Sequence, residues 1–186
     1  LGVFNRFGWH HLGPVVFYVL APVYRALGSR SFALLIGALI LNAAAVVGIA
    51  LVARRRAGIG FALAALAGTT IVSHSLGPSF LRSPWTPNLV VLPFVLLVLL
   101  SWSLAEGDTL ALPWAALVAS FIVQAHLAPT PPTVATLVAG LAFGARRLTS
   151  NGLRGSSANP AGLRRRAPVT AGALPLHLPP PFDEAV

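Results

Sequence analysis

The chain has 186 residues, of which 56% are hydrophobic and 9% charged, with a mean hydropathy of +0.80. Soluble domains carry about 25% charged residues, so the composition excludes an ordinary soluble enzyme and points to an integral membrane protein. The net charge of +9 comes from arginine alone. Those arginines sit at the ends of apolar runs and in one short linker, which argues for a membrane and against a nucleic-acid partner. The absence of cysteine excludes disulfides and thiolate chemistry.

The chain contains no methionine and opens on Leu1 without a charged leader, so it reads as a piece of a longer polytopic protein. Residues 4–31, FNRFGWHHLGPVVFYVLAPVYRALGSRS, gather Asn5, Arg6, Trp9, His10, His11, Tyr18, Tyr24, Arg25 and Arg30 around one short apolar run. Such groups belong at a membrane interface or a cavity wall. The apolar part, residues 13–27, is too short to cross a core of about 30 Å upright at about 1.5 Å per residue. Pro14 suits a first helical turn, and Pro22 is expected to kink or end the helix. A juxtamembrane helix on the outer face is expected.

Residues 32–53 are long enough to span, carry Asn42 near their middle and end in Arg54, Arg55 and Arg56. Asn42 is read as an interhelical hydrogen-bonding group. Residues 59–76 form a second span with His74 near its end, and small residues over 58–68 predict close helix packing. A turn-rich loop follows at 78–87, with Arg82 and Trp85. Residues 88–104 form the third span. Glu106 and Asp108 stand in a tight polar turn and are read as solvated. Residues 110–127 form the fourth span, ending in Gln124 and His126, and residues 133–145 a shorter fifth. Residues 146–166 read as an Arg-rich linker. Residues 167–186 are a degraded, partial sixth apolar segment broken by prolines. The expected fold is an all-α polytopic membrane bundle: a domain over 1–145 with about five spans, then the linker and the partial segment.

The positive-inside rule puts Arg54, Arg55, Arg56, Arg146, Arg147, Arg154, Arg164, Arg165 and Arg166 in the cytoplasm. Glu106 and Asp108 fall on that side too. The outside receives Arg6, Arg25, Arg30 and Arg82, with His10, His11, His74, Arg82 and His126 at one level. Arginine offers a planar fork to phosphate oxygens, so Arg6, His10, His11, Arg30, His74, Arg82 and His126 are the candidate contacts for an anionic lipid-phosphate donor. Interfacial anchoring would place the same residue types there. No metal site is read from His10 and His11, which point to different faces of a helix and have no Asp, Glu or Cys beside them. No carboxylate precedes Glu106, so the outer side lacks a general base unless Asp183 or Glu184 supplies it. No Walker loop, dinucleotide fingerprint, HExxH or nucleophile elbow occurs.

The stretch GWHHLGPVVFYVLAPVYRALGSRSFALLIGALILNAAAVVGIALVARRR, with SPWTPNLVVLPFVLLVLL and QAHL further on, resembles polytopic glycosyltransferases of the GT-C class. The likeness is to the dolichyl-phosphate-mannose-protein mannosyltransferase-like and ArnT-like branch. The matching positions are His10, His11, Leu12, Gly13 and Pro14, then Leu27, Gly28, Arg30, Ala53, Arg54 and Arg55; Leu12 stands where that motif has proline. The resemblance implies a multi-pass protein of the bacterial plasma membrane. It would move a sugar from a polyprenyl-phosphate donor on the extracytoplasmic side, with a divalent metal in many members. The family's acidic catalytic residue lies in a loop upstream of residue 1, so this chain is expected to hold a phosphate without catalysing transfer. A transporter or flippase subunit and a non-catalytic membrane scaffold are the alternatives.

Overall fold

The computed structural model describes residues 13–157, with side chains to residue 150. All regular structure among the described residues is helical, as the composition predicts. The helices are α1 (Val15–Ala26), α2 (Phe32–Ser75), α3 (Thr86–Ala105), α4 (Leu112–Ala125) and α5 (Thr130–Ser157), with 3-10 turns at Phe80–Arg82 and Thr109–Ala111. Prolines open these helices where a missing N–H costs nothing. Pro14 precedes α1, and Pro87, Pro113, Pro131 and Pro132 stand in the first turns of α3, α4 and α5.

Helix α2 holds 44 residues but is not one rod. Its backbone leaves helical geometry at Ala57 (φ −135°, ψ 16°) and Gly58 (φ 80°, ψ −174°). In a straight helix residues 42 and 75 would lie about 50 Å apart, and the chain to Leu81 could recover only about 20 Å of that. Yet the Asn42 side-chain amide donates to the Leu81 carbonyl at 2.9 Å. The chain therefore turns back at residues 57–58, giving a first arm over 32–56 and a second over 59–75. The break falls where the sequence placed a boundary, directly after Arg54, Arg55 and Arg56.

Helix α3 is the buried centre, with Leu89, Leu92 and Leu97 fully enclosed. The first arm of α2 faces it in parallel. Arg56 meets Ser103, 47 residues on, and Gly48 lies against Leu96 at almost the same offset. The second arm returns antiparallel, with the Phe61 and Trp102 rings edge to face at 5.5 Å. On the other flank α5 also runs parallel to α3 through two glycines. A Cβ at Gly140 would stand 2.7 Å from the Ser101 carbonyl oxygen, and one at Gly144 would overlap the Leu104 carbonyl. This is the close backbone approach that small residues four apart permit. Helix α4 fills the remaining side through Ala115, Ile122 and Ala125, and α1 sets Leu20 against Gly37.

Four expectations need correction. Gly60 and Gly68 meet open space, so these glycines of 58–68 do not make the close packing; Ala62 and Thr69 are the buried positions of the second arm. A small face admits a neighbour only if one is on that side. Pro22 does not end α1, which runs on to Ala26 with Val23 seated at Gly37. The run 110–127 is divided, because Asp108 caps a 3-10 turn at Thr109–Ala111 and leaves 14 residues of α-helix. Helix α5 continues through Ser157, so the first part of the expected linker is helical; glycine lowers helix propensity without forbidding it. Two helices, α2 and α3, are long and apolar enough to cross a membrane, while α1 and Thr109–Ala125 are shorter apolar helices. The partial segment over 167–186 lies outside the described residues.

The glycines sort into opposite responses to alanine. Gly58 occupies a backbone region close to exclusive to glycine, so Gly58→Ala is expected to destabilise the protein by about 1–3 kcal/mol. Gly60→Ala and Gly68→Ala add a methyl in open space on a helix and should stabilise by up to about 1 kcal/mol each. Thermal unfolding in detergent measures all three.

Candidate functional site

The turn between α3 and α4 and the break in α2 meet at one end of the bundle. Gly107, at φ 87°, lets the chain reverse after α3, which presents Glu106 and Asp108 to the arginines that close the first arm. Arg56 donates through Nε to the Ser103 hydroxyl at 2.8 Å and pairs through Nη2 with Asp108 Oδ2. Arg55 approaches the same oxygen at 3.2 Å. The other Asp108 oxygen accepts from the Leu110 N–H at 3.2 Å, capping the 3-10 turn. Glu106 pairs with Arg147 of α5. The Asp108 side chain is only 12% exposed and that of Arg56 17%. Asp108 is therefore not solvated, as the sequence reading had it, but a largely enclosed counter-ion to two arginines; Glu106 stays exposed, as read, and pairs with Arg147. The signal was present in the sequence, since alternating segments bring 54–56, 106–108 and 146–147 to one end. A carboxylate held by two guanidiniums and an N–H acts as a clamp between the first arm of α2 and the turn after α3.

The opposite end carries cations and imidazoles. Arg30 precedes α2 after a left-handed turn at Gly28 and Ser29, His74 lies in the last turn of α2, Arg82 closes the 3-10 turn, and His126 follows α4. Arg30, His74 and Arg82 are exposed and His126 is half-buried. Helical rise from the arginine–carboxylate end puts His74 and His126 about 20–25 Å up, and Arg30 nearly 40 Å. Arg82 shares the lower level, because its neighbour Leu81 is held by Asn42. The candidate set thus divides in depth: the topology brings His74, Arg82 and His126 to one level and leaves Arg30 about 15 Å beyond them. Arg6, His10 and His11 lie outside the described residues, as do Asp183 and Glu184.

Asn42 is fully buried, and its partner is a loop carbonyl rather than another helix. Next to that carbonyl, Phe80 is buried against Ala45 and Leu92. The loop read as a plain turn is therefore seated in the bundle, and Asn42 with Phe80 positions Arg82. The described residues do not fit the divalent metal that the resemblance implies. Among them no three His, Asp or Glu side chains gather, and both carboxylates stand in ion pairs at the far end from the imidazoles.

Asp108→Asn should destabilise the fold by about 2–4 kcal/mol, because it strands the largely buried Arg56. Glu106→Gln should cost about 1 kcal/mol or less, since the Glu106–Arg147 pair is well exposed. Thermal unfolding of the two variants side by side reads the difference. Compared with known proteins, the chain matches no protein-family model, no curated protein and no solved structure.

Proposed function

We propose that the chain is a multi-pass protein of the bacterial plasma membrane whose imidazole-bearing end lies outside and holds the phosphate of a polyprenyl-phosphate sugar donor, as part of a GT-C-type glycosyltransferase. The observation that carries this reading is the partition of charge. Glu106 and Asp108 are both engaged at one end with Arg55, Arg56 and Arg147. Arg25, Arg30, Arg82, His74 and His126 stand towards the other, which has no carboxylate among the described residues. An end rich in donors and poor in carboxylates favours an anion, and arginine's planar fork favours phosphate.

In this arrangement the two arms of α2, helix α3, Thr109–Ala125 and the apolar start of α5 make five crossings, with α1 at the outer surface. Thr109–Ala125 is short for a core of about 30 Å, a mismatch that local thinning and snorkelling arginines absorb. The arginine–carboxylate end faces the cytoplasm, as the positive-inside rule asks. Cations at the outer end would stabilise a leaving phosphate, and no carboxylate among the described residues stands there to take the acceptor's proton. Holding the phosphate is the part of the reaction these residues can perform. A transporter would call for broken helices meeting at mid-membrane; the break in α2 sits beside the arginines instead.

Two measurements test the reading. The chain has no cysteine of its own, so single cysteines report topology directly. Thr109→Cys and Ser150→Cys should be shielded from an impermeant thiol reagent in intact cells, and Ser79→Cys labelled. In purified protein, Arg82→Ala should weaken binding of a polyprenyl phosphate about tenfold or more, while Arg54→Ala changes it little. A reversed labelling pattern removes the outer site. Equal behaviour of Arg82→Ala and Arg54→Ala leaves the non-catalytic scaffold as the better account.

A further inference from the structure

The chain between Ser75 and Thr86 does not simply cap the imidazole end; it dips into it. Phe61 of the second arm and Trp102 of α3 meet at one level. Helical rise puts Ser75 about 21 Å above that level and Thr86 about 24 Å above it. Between them Phe80 is 1% exposed and packs with Leu92, which stands only about 15 Å up. A second tie agrees with the first. The Leu81 carbonyl accepts from Asn42 at 2.9 Å, and Asn42 stands about 9 Å above Gly48, which faces Leu96. The loop therefore turns back about 6–9 Å below the helix ends that flank it.

The surroundings at that depth are apolar on one side and polar on the other. On the first arm Phe32, Leu35, Leu39 and Ile40 lie beyond Asn42 and are each more than 40% exposed, so in a membrane the hydrocarbon rises past the loop. A helix satisfies its own backbone there, but residues 76–79 and 83–85 are not helical. The Trp85 N–H reaches the Ser83 hydroxyl at 3.4 Å, too far to satisfy a backbone donor away from water. Ser79 and Arg82 share one face of the 3-10 turn, where the Arg82 N–H donates to the Ser79 carbonyl at 3.2 Å. Non-helical backbone and a guanidinium persist at membrane depth only inside protein or beside water. Pro78, Ser79, Leu81 and Arg82 are exposed, which leaves water.

We propose that residues 77–85 form a re-entrant loop that holds open a water-filled recess at the imidazole end, with Arg82 hydrated at its floor and within reach of anions dissolved in water. The inference rests on the membrane reading above and is independent of the polyprenyl donor. Phe80 and Asn42 hold the loop down, one by apolar burial and the other by a hydrogen bond to its backbone. Arg82 is then presented to water below the level at which α3 begins. A phosphate bound there would meet a water-soluble acceptor without that acceptor crossing hydrocarbon.

The test uses the whole chain in phosphatidylcholine liposomes, with one nitroxide label at a time. Ser79→Cys places the label in the loop. Ile71→Cys places it at the level of Leu92, on the side of the second arm opposite the buried Thr69, and Val98→Cys on the exposed side of α3 nearer mid-bundle. Collision with a water-soluble nickel chelate is read against collision with oxygen, which concentrates in hydrocarbon. The label at 79 should favour the chelate several-fold over the label at 71, although both stand at one depth, and the label at 98 should favour oxygen. Oxygen preference at 79 equal to that at 71 puts the loop in lipid and overturns the recess. Chelate preference at both, with 98 still in hydrocarbon, makes the loop an ordinary surface turn and overturns it as well. Chelate preference at 98 overturns the membrane assignment itself. An anionic thiosulfonate should also modify Ser79→Cys faster than a cationic one of similar size. Arg82→Gln should lower that ratio about fivefold, the effect of one charge on an anion and a cation about 7 Å away in water. An unchanged ratio overturns the placement of Arg82 at the floor.

Discussion

Arg56 is the side chain on which the arrangement turns. It ends the first arm of α2 just before the backbone leaves helical geometry, and its guanidinium reaches both Ser103 and Asp108. A helix with a break is a hinge unless something holds one side of it. Arg56 fixes the first arm to the end of α3, and the register so set carries upward through Gly48 at Leu96 to the start of α3. The second arm then has one direction left to it, back along the same bundle, where Phe61 meets Trp102. The pair is mostly enclosed, so its Coulomb attraction is offset by the loss of hydration. Its contribution lies in specifying one geometry more than in raw stability, and the apolar burial of Leu89, Leu92 and Leu97 supplies the latter.

The same tie divides the molecule electrically. Every carboxylate among the described residues stands beside an arginine at one end, and each is held by a charged hydrogen bond. Acid–base chemistry at the other end cannot draw on them across roughly 20 Å of apolar helix. What remains at the imidazole end is arginines and histidines without a carboxylate among the described residues, a composition suited to holding an anion.

Much of the architecture was legible from the length of apolar runs and the arginines between them. Runs of 17–22 residues closed by arginine, proline or a polar turn marked helix ends to within a few positions, and the break at 57–58 fell where the triple arginine required an end. What periodicity cannot report is the partner. Gly60 and Gly68 look as suited to close packing as Gly140 and Gly144, yet one pair faces open space and the other faces α3. Asp108 looked solvated because a turn read alone shows its residues and not its neighbours. The pairing emerges only when all ends are superposed by topology. Phe80 was the least legible residue, since a single aromatic in a proline-rich loop gives no sign of whether the loop stands off or docks.

Depth is the last property the topology decides. An unpaired amide oxygen inside a bundle costs about 1–3 kcal/mol, and Asn42 keeps its Oδ1 without a hydrogen-bond partner among the described residues while its Nδ2 holds Leu81. A leucine there would avoid that cost. What Asn42 provides is a fixed seat for the Phe80–Arg82 turn, which Phe80 fills from the apolar side. Arg82 therefore stands about 15 Å nearer the arginine end than Arg30, although both were read from sequence as residues of outer loops. Its level is set by a side chain in another helix rather than by its own place in the chain.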